Sequence, residues 1–157
     1  MGTGTLPHRF LADEAATLAF GASWAQALSA PLTVYLQGSL GAGKTTFTRG
    51  LLRALGHSGA VKSPTYAIVE SYALPAFPLH HFDLYRFASP DEWEDAGLDD
   101  LFGNSVCIIE WPQQGGSAVP PADLTFTLSN QDSGRNAAVA AHTAAGQKSL
   151  ETWLKQN

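Results

Sequence analysis

Cysteine and long apolar runs are the features that this sequence most clearly lacks. Cys107 is the single cysteine among 157 residues, so an intramolecular disulfide is impossible, and its apolar neighbours indicate a small core residue rather than a nucleophile. No apolar run approaches the roughly 20 residues of a membrane-spanning helix. The first residues lack the basic region and apolar stretch of a secretory signal. These absences predict a cytoplasmic protein with no membrane segment.

Basic residues are also scarce. Nine Lys and Arg stand against fourteen Asp and Glu, which gives a formal net charge of −5. Autonomous nucleic-acid binding depends on basic patches, so this balance argues against it, although action on nucleic acid through a partner protein stays open. The length predicts a single domain over residues 1–157, and a hydrophobic content of 45% is that of a globular chain.

The strongest motif in the chain is a glycine-rich stretch, Gly38–Thr45. It fits the phosphate-loop pattern of Gly, four residues, Gly, Lys, then Ser or Thr. A predicted buried strand, Leu32–Leu36, precedes it, and a predicted helix, Thr45–Leu55, follows it. Glycines allow backbone N–H groups to turn toward an anion, and the helix adds its positive end. The sequence therefore predicts a nucleoside triphosphate site with contacts from Gly41, Ala42, Gly43, Lys44, Thr45 and Thr46.

Periodicity and turn residues predict the other elements. Strands are expected at Thr5–Phe10, Tyr66–Tyr72, Leu79–Leu84, Val106–Ile109, Leu124–Leu128 and Asn136–His142. Helices are expected at Asp13–Leu28, Asp91–Leu101 and Gln147–Lys155, with a loop at Gln113–Pro121. The short link between the strands at Tyr66–Tyr72 and Leu79–Leu84 predicts that these two strands run antiparallel.

Two acidic residues follow predicted buried strands. A triphosphate hydrolase needs such an acid to bind the metal or its water. Glu110 comes directly after Val106–Ile109, and Asp83 follows the apolar and histidine residues 79–82. An ionised carboxylate at the end of a buried strand is costly unless a cation lies nearby, so each position indicates a site. Glu110 is the stronger candidate for a metal-bound acid; the alternative is an exposed acid at a strand end.

Several neighbours of these acids have two possible roles. Alternation places His81 and Asp83 on one strand face, which predicts a polar network beside the phosphates rather than a zinc site. Thr65, in a Pro-Thr turn, either senses a terminal phosphate as switch segments do or is an ordinary turn residue. Arg86 either neutralises phosphate charge or pairs with the acidic helix expected at Asp91–Leu101. Trp111 either stacks near the base or is a structural plug.

Four motifs in this order and spacing resemble those of the TsaE (YjeE) ATPases. They lie at Gly38–Gly50, Ser63–Tyr66, His81–Arg86 and Ile109–Pro112, within roughly residues 12–115. The phosphate loop alone is shared by many families, whereas the Ser-Pro-Thr-Tyr, His-Phe-Asp-Leu-Tyr-Arg and Glu-Trp-Pro set is specific. Members of this family form the ATPase subunit of the bacterial machinery that installs threonylcarbamoyl on an adenosine beside the anticodon of tRNAs.

This resemblance implies an α/β fold, a three-layer P-loop NTPase-like domain with a mixed central sheet. It implies Mg²⁺-dependent ATP hydrolysis that is feeble alone and meaningful with two partners, the threonylcarbamoyl transferase subunit and its non-catalytic paralogue. Contact with tRNA would be indirect, through that complex. Hydrolysis would reset the complex between turnovers rather than transfer the carbamoyl group.

The family motifs also imply roles for particular residues. The catalytic residues would be Lys44, Asp83 and Glu110. The Mg²⁺ ligands would be Thr45 and Glu110, while Asp83 would position water or metal. The switch segments would contain Thr65, Asp83 and Arg86. Trp111 would contribute to nucleotide binding.

Three positions match the family less well. Ser39 stands where the family commonly has Asp, a change that should matter little to phosphate binding. Glu14 and Arg135 match no firm motif. Because the family draws the adenine side of its pocket from these regions, both are nonetheless expected to contact the nucleotide.

Two other functions stay open on the sequence. A small P-loop kinase would close an arginine-bearing lid over the transferred phosphoryl group, and the five arginines here form no such segment. A nucleotide-sensing adaptor without turnover is compatible with the loop, although the intact acidic residues argue against it. The GTPase class is excluded because no Asn-Lys-x-Asp sequence is present to read guanine.

Overall fold

The computed structural model describes the backbone of residues 4–157 and the side chains from residue 8 onward. Its strands are β1 Gly4–Leu11, β2 Leu32–Gln37, β3 Val69–Ala73, β4 Pro78–Asp83, β5 Val106–Glu110, β6 Leu124–Gln131 and β7 Gly134–Ala141. Its α-helices are α1 Glu14–Ser23, α2 Lys44–Ala54, α3 Asp91–Asp95 and α4 Ala144–Gln156. Short 3₁₀ segments cover Leu98–Leu101 and Pro112–Ala118. No helix in this part of the chain is long and apolar enough to cross a membrane.

The seven strands form one mixed sheet in the order β1-β7-β6-β2-β5-β4-β3. The central strand β2 runs parallel to β5 and β6, and β4 runs parallel to β5. The outer pairs β1/β7, β6/β7 and β3/β4 are antiparallel, as the short link between β3 and β4 predicted. Because β2, β4 and β5 are parallel, their carboxyl ends meet at the same edge of the sheet, where α/β proteins bind ligands.

The larger core layer lies between the sheet and helices α1, α2 and α4. Trp24 and Trp153 stack there with ring centres 4.9 Å apart, and Phe126 of β6 meets Trp24 edge-on at 4.7 Å. Helices α1 and α2 touch backbone to backbone at two glycines. A Cβ on Gly21 would lie 2.1 Å from the Phe47 carbonyl oxygen. This contact sets the position of α2, which begins at the phosphate loop.

A smaller core layer covers the opposite face of the sheet. Phe82 of β4 stacks on Trp93 of α3 with ring centres 5.6 Å apart, and the Trp93 indole N–H donates to Asp99 at 2.8 Å. Cys107 and Ile109 of β5 are fully buried in this layer. Helical segments thus lie on both faces of the mixed sheet. The predicted three-layer α/β fold is therefore confirmed.

Two predicted helices were too long. The helix expected at Asp13–Leu28 ends at Ser23. Beyond it, the N–H groups of Trp24 and Ala25 bond to carbonyls three residues back, so the backbone tightens into turns. The helix expected at Asp91–Leu101 breaks at Gly97, which adopts a left-handed conformation with φ of 66°. A glycine in that conformation ends a helix, so a 3₁₀ segment follows instead of a continued α-helix.

Two other boundaries also differ from the sequence prediction. The strand expected from Tyr66 begins only at Val69, since the Ile68 N–H bonds to the Pro64 carbonyl at 2.8 Å and closes a turn. The loop expected over Gln113–Pro121 is largely 3₁₀, with an interruption at Gly116.

Candidate functional site

The phosphate loop connects the central strand β2 to helix α2. Gly41 and Gly43 adopt φ angles of 79° and 99°, which side-chain-bearing residues rarely adopt. Gly43 is the N-cap of α2, and among the described residues no side-chain hydrogen bond caps the N–H groups of the first helical turn. A Cβ at Gly41 would meet no atom of the described residues within 4 Å, so the loop borders open space in this part of the structure. Uncapped N–H groups beside open space form a favourable environment for an anion.

The ammonium group of Lys44 is held inside this loop. Its Nζ donates to the Gly38 carbonyl at 2.7 Å and lies 3.5 Å from Oε1 of Glu110. The Trp111 ring centre is 4.4 Å from the same atom, a cation–π contact. Only 6% of the Lys44 side chain is exposed. A charge this buried is stable because a carboxylate, a carbonyl and an aromatic face surround it.

Glu110 lies at the carboxyl end of β5, between Lys44 and a buried histidine. Its Oε2 is 2.6 Å from Nε2 of His81, which β4 brings alongside β5. An ionised carboxylate only accepts hydrogen bonds, so the imidazole donates through Nε2. The two carboxylate oxygens therefore have different neighbours, an ammonium on one side and an imidazole on the other.

Asp83 lies opposite Glu110 in the β4–β5 register. Its Oδ2 accepts from the Thr65 hydroxyl at 3.1 Å, and its Oδ1 accepts from the Tyr85 N–H at 2.9 Å. Thr65 also shares a 2.8 Å hydrogen bond with the hydroxyl of Ser63. The turn before β3 is thus connected directly to the end of β4, and the two predicted switch segments meet at one carboxylate.

A cleft of about 280 Å³ brings most of the predicted site residues together. It is lined by Leu40, Gly41, Gly43, Lys44, Thr45, Thr46, Ser63, Thr65, Asp83, Glu110, Trp111 and Arg135. The cleft therefore combines one buried ammonium, two carboxylates, several hydroxyls and the start of α2. Hydroxyl and carboxylate oxygens are the ligands that Mg²⁺ prefers.

A second cavity of about 210 Å³ adjoins the cleft on the side of α1. Glu14 and Arg135 both line it, and it shares Gly43, Thr46 and Arg135 with the cleft. The two positions that matched no firm motif thus line the same cavity. The structure does not bring Trp111 to this cavity.

Trp111 lines the cleft, whereas Arg86 lies outside both cavities. Trp111 packs on Lys44 and on the Tyr85 ring, whose centre is 4.9 Å away. Its φ of 56° is left-handed, unusual for a bulky residue and especially for one before proline. Arg86 stacks over the exposed Tyr66 ring at 4.2 Å and lines neither cavity. Within residues 8–157 it forms no ion pair with the acidic helix.

Sequence reasoning missed two contacts of the site. The Arg135 guanidinium donates to the carbonyls of Ala42 at 2.9 Å and Gly41 at 3.0 Å, so it braces the loop from β7. No local pattern reveals this contact, because it depends on where β7 lies in the sheet. The bond between His81 and Glu110 was missed as well, although alternation along β4 correctly placed His81 on the face of Asp83.

The mixed α/β sheet and the glycine loop between its central strand and α2 define a P-loop NTPase-like domain. Comparison with known proteins then gives the family. A family model described as "Threonylcarbamoyl adenosine biosynthesis protein TsaE" matches residues 11–137. The chain therefore belongs to the TsaE family.

Individual relatives agree with this assignment. The tRNA threonylcarbamoyladenosine biosynthesis protein TsaE of Haemophilus influenzae is 41% identical over 151 residues, covering 92% of this chain and 96% of that protein. The Bacillus subtilis protein of the same name is 44% identical over 94 residues, 59% of this chain and 58% of that protein. A crystal structure of Bacillus subtilis YdiB is similar with a TM-score of 0.80 at 26% identity, covering 99% of this chain and 98% of that one.

Proposed function

We propose that this protein is a Mg²⁺-dependent ATP hydrolase that supports threonylcarbamoyl modification of adenosine beside the anticodon of tRNA. The observation that carries the proposal is the cleft, where Lys44, Thr45, Asp83 and Glu110 line one space beside the phosphate loop. Family membership supports the pathway, since the relatives are named for tRNA threonylcarbamoyladenosine biosynthesis.

Lys44 and the loop bind the outer phosphates in this proposal. The Lys44 ammonium is now bonded to a neutral carbonyl, that of Gly38, at 2.7 Å. A phosphate oxygen is a stronger acceptor because the bond is then charged on both sides. Binding of the nucleotide therefore exchanges the Gly38 bond for a bond to phosphate, while the N–H groups at the start of α2 bind the other oxygens.

The residues of the cleft fit a magnesium ion. Hard oxygen donors are present in the Thr45 hydroxyl and in the Glu110 and Asp83 carboxylates, all of which line the cleft. Within the described residues no group of three or more His, Cys, Asp or Glu is arranged to hold a metal by itself. Mg²⁺ commonly takes one or two carboxylates and completes its shell with waters and phosphates.

Thr45 and Glu110 would hold the ion. When bound, Mg²⁺ neutralises charge on the transferred phosphoryl group. Asp83 lies beside Glu110 in register, where its carboxylate can orient the attacking water.

The hydrogen bond between Thr65 and Asp83 provides a link from the nucleotide to partner proteins. Release of a terminal phosphate changes what Asp83 and Thr65 contact, and the exposed ring of Tyr66 follows Thr65 directly. We propose that ATP turnover resets a complex with the threonylcarbamoyl transferase subunit and its non-catalytic paralogue. The tRNA is reached only through that complex, in keeping with the net charge of −5.

Separate substitutions test binding and hydrolysis. Lys44→Ala should weaken ATP binding about 10- to 100-fold, the value of a charge-assisted hydrogen bond. Glu110→Ala should lower phosphate release more than it lowers ATP affinity, because its proposed role is in the reaction. Both are measured with labelled ATP, by equilibrium binding and by turnover in the reconstituted complex. Full turnover by the Glu110→Ala protein would contradict the assignment.

The fate of the terminal phosphate separates the remaining functions. With ATP labelled on the γ-phosphate, label in inorganic phosphate supports a hydrolase. Label in an organic acceptor would indicate a small-molecule kinase instead. Nucleotide-dependent binding to the transferase subunit with no release of label would indicate an adaptor that senses ATP without turnover.

A further inference from the structure

We propose that His81 is a positioning residue that holds the Glu110 carboxylate in the orientation needed for hydrolysis. The inference rests on the proposed function, because it assigns to Glu110 the metal-side role described above. His81 is not a ligand of the ion in this proposal. It acts through the 2.6 Å hydrogen bond from its Nε2 to Oε2 of Glu110.

The surroundings of His81 are not explained by packing alone. Its side chain is fully buried within the sheet, and the same face of β4 carries Leu79, a core residue. Nδ1 of the ring is buried and has no hydrogen-bond partner among the described residues. An unpartnered polar atom destabilises a core, so an aliphatic residue would pack there at lower cost. The bond to Glu110 is the feature that a histidine supplies and an aliphatic residue does not.

The geometry of Glu110 shows what this bond accomplishes. Oε1 lies 3.5 Å from the Lys44 ammonium, longer than the roughly 2.7–2.9 Å of a direct charge-assisted hydrogen bond. Because His81 fixes Oε2, the carboxylate is restrained from turning fully toward Lys44. Two consequences follow. The ammonium stays available for phosphate, and Oε1, at 3.5 Å from the ammonium, stays available for the ion.

A matched pair of amide substitutions tests this role. In His81→Gln the side-chain nitrogen lies at about the position of Nε2 and can still donate to Glu110. In His81→Asn it lies near Nδ1 and falls short. We expect His81→Asn to raise the Mg²⁺ concentration for half-maximal ATP hydrolysis about tenfold or more, as loss of outer-shell partners does. His81→Gln should remain close to the unsubstituted protein.

Two further measurements separate positioning from general stability. Binding of Mn²⁺ in the presence of a non-hydrolysable ATP analogue, followed by electron paramagnetic resonance, should weaken in His81→Asn and not in His81→Gln. Binding of ATP in EDTA and the urea midpoint of unfolding should be similar for the two variants. His80→Asn and His80→Gln are the controls, since His80 lies on the other strand face and bonds to Ser71 at 2.7 Å.

If the unsubstituted protein is active, two results would overturn the positioning role of His81. One is equal Mg²⁺ dependence of the His81→Asn, His81→Gln and unsubstituted proteins. Another is equal loss in both variants together with a lower unfolding midpoint, which would show a structural role. If the unsubstituted protein neither hydrolyses ATP nor binds Mn²⁺, the proposed function fails instead. A crystal structure of His81→Asn then decides the positioning role, since Glu110 should turn toward Lys44, and an unmoved carboxylate would contradict it.

Discussion

Lys44, Glu110 and His81 form a continuous polar chain at the carboxyl end of β4 and β5, and each is almost completely buried. An isolated charge in that position would be strongly unfavourable, whereas a matched pair with additional hydrogen bonds is tolerated. The sequence predicted Lys44 from its motif and Glu110 from its place after an apolar strand. It could not predict their separation, because that depends on β2, the loop and β5 lying side by side.

Cys107 makes a pH-dependent contribution to stability that can be tested directly. Burial raises the pKa of its thiol from 9.0 to about 11, with the Ser105 hydroxyl partly offsetting the effect. Above pH 9 the unfolded chain loses this proton while the folded chain keeps it. The folded state then binds more protons, so the free energy of unfolding falls as the pH rises from about 9 to about 11.

Urea unfolding between pH 8 and 11 measures this effect against a Cys107→Ala variant. The unsubstituted protein should lose stability more steeply over that range. Burial also raises the pKa of Tyr35 and Tyr72, which act in the same direction in both proteins and cancel in the comparison. Parallel pH profiles for the two proteins would contradict the prediction, because they would show that the Cys107 thiol has the same pKa in the folded and the unfolded chain.

Among the secondary-structure elements, α1 and α2 are the pair that places the phosphate loop. Gly21 and Gly50 allow the two helix backbones to touch. A Cβ on Gly50 would lie 2.1 Å from the Leu18 carbonyl oxygen, so the helices must separate to admit it. Because α2 begins at Lys44, any such movement also displaces the loop.

Gly50→Ala should therefore affect both stability and binding. We expect a loss of about 1–3 kcal/mol in the free energy of unfolding, the usual cost of overpacking, together with weaker ATP binding. Ala54→Gly, at an exposed position of the same helix, is the control: it should cost at most about 1 kcal/mol and leave ATP affinity unchanged. Urea unfolding and equilibrium binding measure the two effects. Normal ATP affinity in a destabilised Gly50→Ala protein would show that the helix contact does not position the loop.

Elements with clear periodicity were predictable, and those ended by backbone geometry were not. The strands β2 and β5 and the helix α2 agree closely with the sequence prediction because apolar spacing determines them. The break at Gly97 and the turn before Val69 depend on individual φ angles and carbonyl bonds that a residue pattern does not reveal. The antiparallel pairing of β3 and β4 was predictable, since a short link permits little else.

In the whole molecule, the aromatic cluster of the larger layer connects α1 and α4 to the sheet. Trp153 of α4 stacks on Trp24, and its indole N–H donates to the Ser23 hydroxyl at 2.8 Å. The Phe20 and Phe126 rings pack in the same cluster. Residues near both ends of the described chain therefore contribute to one core.

Trp153→Ala should destabilise the entire fold rather than α4 alone. Removing a buried tryptophan costs about 3–5 kcal/mol, and the neighbouring Leu154→Ala, whose side chain is 48% exposed, should cost much less. Urea unfolding of both variants, monitored by far-UV circular dichroism, measures these effects. For Trp153→Ala we expect a single transition at a lower urea midpoint, with an unchanged dependence of the free energy of unfolding on urea concentration. A reduced slope, or equal effects of the two substitutions, would show that α4 separates from the rest before global unfolding.

Arg135 was the residue whose role was least predictable, because its contacts depend on the order of strands in the sheet. It pairs with Leu11 in the β1–β7 register and donates to the Gly41 carbonyl 94 residues earlier in the chain. During synthesis the phosphate loop therefore leaves the ribosome long before Arg135, which hydrogen-bonds to it, has been added to the chain. Until β7 follows, β1 lacks its partner and β6 has an open edge. Such distant pairings make folding slow, and the nucleotide site is completed among the last parts of the nascent protein.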